Sequence, residues 1–143
     1  MHATTWKSAA AMAMLALAGC GMMDHHPGET KTVVTLTGAN EVPAVNTTAV
    51  GTATITVSAD RTVNVKVIVQ GMTPTASHIH LGAAGTNGPV VVPFTKAADY
   101  EFISPPGAKL TDDQWSAYRN GNLYVNVHSA KHPSGEIRGQ IKP

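Results

Sequence analysis

Apolar and polar residues alternate along most of this chain, and a period of two predicts strands. From 49 to 57, Ala49, Gly51, Ala53, Ile55 and Val57 share one face, while Thr52, Thr54 and Thr56 share the other. Ser58-Ala59-Asp60-Arg61 reads as a turn, and Thr62 to Gln70 returns with Val63, Val65, Val67 and Val69 inward, which completes a hairpin. A weaker alternation predicts a first strand from Thr32 to Thr37, followed by an irregular stretch at 38–48 that carries Asn40, Pro43 and Asn46. Gly71-Met72-Thr73-Pro74 breaks the pattern before a strand in which Ser77, Ile79 and Leu81 are expected inward. After the Gly-rich 83–89 comes a short apolar strand, Val90 to Phe94, and then Thr95 to Lys109, with Pro105-Pro106-Gly107, reads as a long irregular connection. Thr111-Asp112-Asp113-Gln114 resembles a capping box and predicts a short helix through Arg119, closed by Asn120-Gly121. In the last hairpin Leu123, Val125, Val127, Ile137 and Ile141 fall inward. Tyr124, Asn126, His128, Glu136, Arg138 and Gln140 fall outward. Together these elements predict an all-β fold over 32–143: an antiparallel, Greek-key-like β-sandwich or barrel of about seven to eight strands with one short helix.

The chemistry sits on the outer face. In Ser77-His78-Ile79-His80-Leu81 the alternation puts Ile79 on one side and both histidines on the other, roughly 6–7 Å apart at Cβ. Val127-His128-Ser129-Ala130-Lys131-His132-Pro133 supplies two more. His78, His80, His128 and His132 are therefore the candidate metal ligands, provided the fold makes their strands neighbours. Imidazole suits copper, zinc, nickel and iron, and divalent affinity peaks at copper. A set of imidazoles with neither sulfur nor carboxylate points to copper, with zinc as the competitor. Tyr124 and Asn126 share the face of His128, and either support the ligands or pack as ordinary surface residues. Glu136 and Arg138 are expected to make exposed cross-strand contacts. Trp115 and Tyr118 are expected to anchor the helix to the sheet.

Composition narrows the partners. Charged residues are 13% of the 143, with a formal net charge of +1, which argues against a nucleic-acid partner. At the start, Lys7 precedes an apolar run, Ala9 to Ala18, too short to span a bilayer. The run ends Leu17-Ala18-Gly19-Cys20, similar to a bacterial lipobox in which Cys20 becomes the lipidated first residue. Cys20 is the only cysteine, so no disulfide can form within the chain. The expected organisation is a signal peptide at 1–19, a flexible tether at 20–31 holding Met22, Met23, His25 and His26, and one domain at 32–143. Gly21 after Cys20 resembles lipoproteins sorted to the outer membrane. The expected place is thus the bacterial envelope, facing the periplasm, with membrane contact through the lipid alone.

Three stretches carry a family resemblance: Leu36-Thr37-Gly38-Ala39-Asn40-Glu41-Val42-Pro43, His78-Ile79-His80-Leu81-Gly82, and His128 through Ile141. They resemble the chordin-type (CHRD) domain across residues 32–142, most specifically in the closing Pro133-Ser134-Gly135-Glu136-Ile137-Arg138-Gly139 run. That family has no single assigned activity, so the resemblance implies a fold more than a function. The His-x-His strand with a later histidine is also similar to copper/zinc superoxide dismutase, over the metal strands alone. The chain has no cysteine pair and no histidine-rich loop after His80. Three functions are consistent with these residues. The first is an envelope lipoprotein that binds copper for buffering, carriage or tolerance. The second is a copper-only dismutase-like enzyme, and the third a metal-free adhesion or interaction module.

Overall fold

The computed structural model describes residues 28–143. The expectations for the leader, Cys20, Met22, Met23, His25 and His26 lie outside the described residues. Within them the chain forms β1 (Glu29–Thr37), β2 (Val50–Ser58), β3 (Val63–Gln70), β4 (Pro74–Leu81), β5 (Val90–Pro93), β6 (Thr95–Ala98), β7 (Glu101–Ile103), α1 (Asp112–Arg119), β8 (Leu123–Ser129) and β9 (Ile137–Ile141). The fold is all-β with one short helix, as the alternation predicts, but it has nine strands among the described residues rather than seven to eight. Strand β1 begins at Glu29: Glu29, Thr30 and Lys31 already pair with Ser58, Val57 and Thr56.

All nine strands join one antiparallel sheet in the order β5-β4-β8-β9-β1-β2-β3-β7-β6. Strict alternation of burial in β2 and β3 makes the central hairpin, with Ile55 opposite Val65 and Ala53 opposite Val67. β4 then crosses away from β3 to pair with β8, and β9 links β8 to β1. The segment 90–98 draws the two edges together. β5 pairs with β4 and β6 with β7, while Phe94 between them donates its N–H to Ser77 O at 3.0 Å. The sheet is thereby nearly closed, and its inward residues form one core. Ile79 faces Val125 across the ladder, Val127 faces Ile137, and Leu123 faces Ile141, all buried. Each such aliphatic side chain contributes about 1.5–3 kcal/mol by leaving water.

The stretch Thr95–Lys109 is not the irregular connection that the sequence suggests. It contains β6 and β7, which are 4 and 3 residues long, too short to show a period. β6 is exposed along its whole length and β7 buries only Phe102, so hydrogen bonding to neighbours defines both strands, not an apolar face. Leu81, expected inward, is exposed because it ends β4 at the rim, where its N–H turns to Pro89 O. The helix starts as predicted. Thr111 Oγ1 accepts the Gln114 N–H, and Gln114 Oε1 accepts the Thr111 N–H. Tyr118 is buried and stacks on the partly buried Trp115 at 5.4 Å, which pins α1 to the core.

Candidate metal centre

Register builds the site. On the outer face His80 stands opposite Tyr124, which stands opposite Gln140, and His78 stands opposite Asn126, which stands opposite Arg138. His128 pairs with Ala76, two residues from His78 along β4. The alanine leaves room where the imidazole of His128 leans toward His78. The His78 ring is 5.4 Å from that of His80 and 4.8 Å from that of His128, centroid to centroid, and His80 is 6.2 Å from His128. One ring nitrogen from each of the three lies within 4.8 Å of the other two. Ligands on opposite sides of an ion at ~2.0–2.1 Å are about 4.1 Å apart, so small side-chain rotations suffice to close the set. His78 Nδ1 and His128 Nε2 already stand 3.0 Å apart.

Two backbone carbonyls settle which nitrogens are available. A carbonyl only accepts, so His80 Nδ1 donates to Gly88 O and His128 Nδ1 donates to Pro133 O, each at 2.9 Å. Both rings carry their proton on Nδ1 and keep the Nε2 lone pair. That of His128 faces His78, and that of His80 is buried with no hydrogen-bond partner. An imidazole held through its other nitrogen by a carbonyl is the arrangement that orients a metal ligand.

The loop at 82–89 roofs His80, which is only 9% exposed. Gly88 is required there, since a Cβ would lie 1.6 Å from Leu81 O. Its N–H donates to the Tyr124 hydroxyl at 3.1 Å, and the Tyr124 ring stacks on His80 at 4.9 Å. Tyr124 therefore supports a candidate ligand directly. Asn126 is buried beside it, with its Oδ1 unpartnered. From β9, Arg138 donates to Ala83 O, Thr86 O and Asn87 Oδ1, and Gln140 donates to Gly82 O and Gly121 O.

This overturns the expectation of exposed contacts for Glu136 and Arg138, both of which are buried, Arg138 at 1% exposure. Glu136 ties the loop after β8 to the loop before β2, accepting from the Thr47 and Ser129 hydroxyls. Ser129 Oγ in turn accepts the His132 N–H at 3.1 Å, closing the turn that presents Pro133 O to His128. Alternation shows which side of a strand a residue takes but not which loop folds over it. The carbonyls of Gly88 and Pro133 left no trace in side-chain chemistry.

His132, the fourth candidate, lies outside the three-histidine group. Its Nε2 is buried and unpartnered, in a cleft it shares with Glu41.

Electrostatics favour neutral rings. His78 is pushed down to about 4, mainly by burial and then by the neighbouring His128 and His80. Burial also lowers His128, against the hydrogen bond to Pro133. His78 thus stays available to a metal well below the ordinary histidine value of ~6.5, which the sequence alone would assign. The unfolded chain protonates His78 near ~6.5 and the folded chain near 4. Stability present above pH ~6.5 is therefore lost as pH falls toward 4. Because the ring is part exposed, the expected loss is about 1–2 kcal/mol. Urea unfolding of the metal-free protein at pH 7 and pH 4.5 checks this, with His78→Gln expected to flatten the difference. An equal pH dependence in the variant contradicts it.

The fold and the site define a nearly closed antiparallel β-domain that carries three histidines in one cluster on its outer face. A family model for the CHRD domain matches residues 32–141, and the chain belongs to the CHRD-domain family. Comparisons with curated proteins and with solved structures give no match.

Proposed function

We propose that this protein binds copper through His78, His80 and His128, and that it does so as an envelope lipoprotein that buffers, carries or confers tolerance to the ion. One observation carries the reading. Two of the three rings are fixed through Nδ1 by backbone carbonyls, leaving Nε2 lone pairs in a cluster whose nitrogens lie within 4.8 Å of one another. Zinc is the competing ion, since it takes the same ligands. Titration of the purified protein with copper and zinc tests the reading. One equivalent of tightly held metal is expected, with copper displacing zinc. No binding of either ion favours the metal-free adhesion or interaction module.

Three protein ligands leave a coordination position open. That supports a second reading, a copper-only dismutase-like enzyme. Superoxide decay catalysed by the copper-loaded protein and lost in His80→Ala is the result that reading requires.

Anchoring rests on the Leu17-Ala18-Gly19-Cys20 run. No helix among the described residues is long and apolar enough to cross a membrane. Cys20→Ser is expected to move the protein from the membrane fraction to the soluble fraction while leaving the domain folded. Unchanged fractionation refutes the lipid anchor.

A further inference from the structure

The histidine cluster continues into the sheet as a stack. Tyr124 lies nearly parallel to His80, with 8° between the planes and 4.9 Å between centroids. The guanidinium carbon of Arg138 lies 3.4 Å from the Tyr124 ring centroid. Strand β8 runs between β4 and β9, so the imidazole and the guanidinium take opposite faces of the one tyrosine ring. A permanent positive charge thus sits behind a candidate ligand, with only an aromatic ring between them.

That charge is poorly neutralised. The hydrogen bonds of Arg138 go to two backbone carbonyls and the Asn87 side-chain oxygen, all uncharged acceptors. The ion pairs found among the described residues join Arg61, Lys66 and Lys109 to acids, and Arg138 enters none of them. The acid that feels Arg138 is Glu41, which is 7% exposed and has one carboxylate oxygen unpartnered. Burial pushes its carboxyl up to about 7 against the attraction of Arg138, so near neutral pH it offsets only part of the charge. The three candidate ligands are histidines, whose imidazoles carry no negative charge, and they offset none of it.

We propose that Arg138, acting through Tyr124, biases the three-histidine site toward a monovalent ion, favouring copper(I) over copper(II) and zinc(II). The proposal rests on the metal-binding reading of the site. With stacking steps of 3.4 and 4.9 Å, the charge stands about 8 Å from the imidazole, and at an effective dielectric of ~20–40 each added positive charge on the ion lowers affinity roughly tenfold. Arg138 is a positioning and charge-setting residue here, because it touches no ion itself. Its second task, holding the loop that presents Gly88 O, affects every ion alike. A ratio of affinities separates the two tasks.

The test uses the purified full-length protein at pH 8, where the Glu41 carboxyl is ionised. Copper(I) affinity is measured anaerobically against a chromophoric copper(I) chelator, and zinc(II) and copper(II) affinities against chelators for each. Arg138→Met is expected to lower the copper(I)-to-zinc(II) affinity ratio about tenfold, while Arg138→Lys keeps it near the wild-type value. Glu41→Gln removes the partial countercharge with little change of shape, and is expected to raise the ratio severalfold. It decides the matter even where Arg138→Met fails to fold by circular dichroism. A folded variant of either kind whose ratio stays within about twofold of wild type overturns the proposal. So does a parallel fall in all affinities in Arg138→Met, which assigns Arg138 to loop support alone. Failure of the wild-type protein to bind any of the three ions is a different result: it removes the metal-binding reading and this proposal with it.

Discussion

Changing His80 to Ala is expected to weaken copper binding at least about 100-fold, more than a lost supporting contact, because it deletes one of the three proposed ligands. The ring lies 9% exposed under the 82–89 loop, so water does not readily take its place. His78→Ala and His128→Ala are expected to lose affinity on the same scale, since both contribute nitrogens to the same group. His132→Ala is expected to lose much less, because its ring faces the cleft beside Glu41 instead of the cluster. Competition against a copper chelator, with circular dichroism to confirm folding, ranks the four variants. Four unchanged affinities would place the metal elsewhere, most simply at His25 and His26.

Phe102→Ala is expected to destabilise the domain by about 3–5 kcal/mol, the usual loss for emptying a buried phenylalanine site. Phe102 is 1% exposed on β7, a strand of 3 residues. Its backbone pairs with Val67 of β3 on one side and Lys96 of β6 on the other, so it packs the core from the strand that joins β6 to β3. Urea unfolding at pH 7 measures the effect. A loss under about 1 kcal/mol would show that β6 and β7 lie on the barrel without helping to close it.

These two residues mark what could and could not be read in advance. His80 stood out in the sequence because a His-x-His strand is readable from alternation and ligand chemistry alone. Phe102 did not, because three residues cannot display a period and the flanking prolines suggested a loop. The helix was legible because a capping box is local, with Thr111 and Gln114 satisfying each other. Arg138 and Glu136 were misplaced for the opposite reason. Their positions, Arg138 on β9 and Glu136 just before it, were read correctly as outward, but outward proved to mean beneath two loops, and their partners lie 7 to 89 residues away in the chain.

By itself the sequence determined the all-β class, the inward set in β2, β3, β8 and β9, and the shared outer face of His78, His80 and His128. Alternation of side chains is a property of each strand alone, and needs no partner to be read. Only the tertiary structure decided that β4 lies against β8, and so that His128 joins the His-x-His pair while His132 turns away. It also decided the tautomers, through the backbone carbonyls of Gly88 and Pro133, a group that every residue type carries and that the sequence therefore does not mark. The burial of Arg138 behind Tyr124 belongs to the same level. Strand order and loop placement are set by the summed packing of distant segments around one core, and no local pattern in the chain encodes that sum.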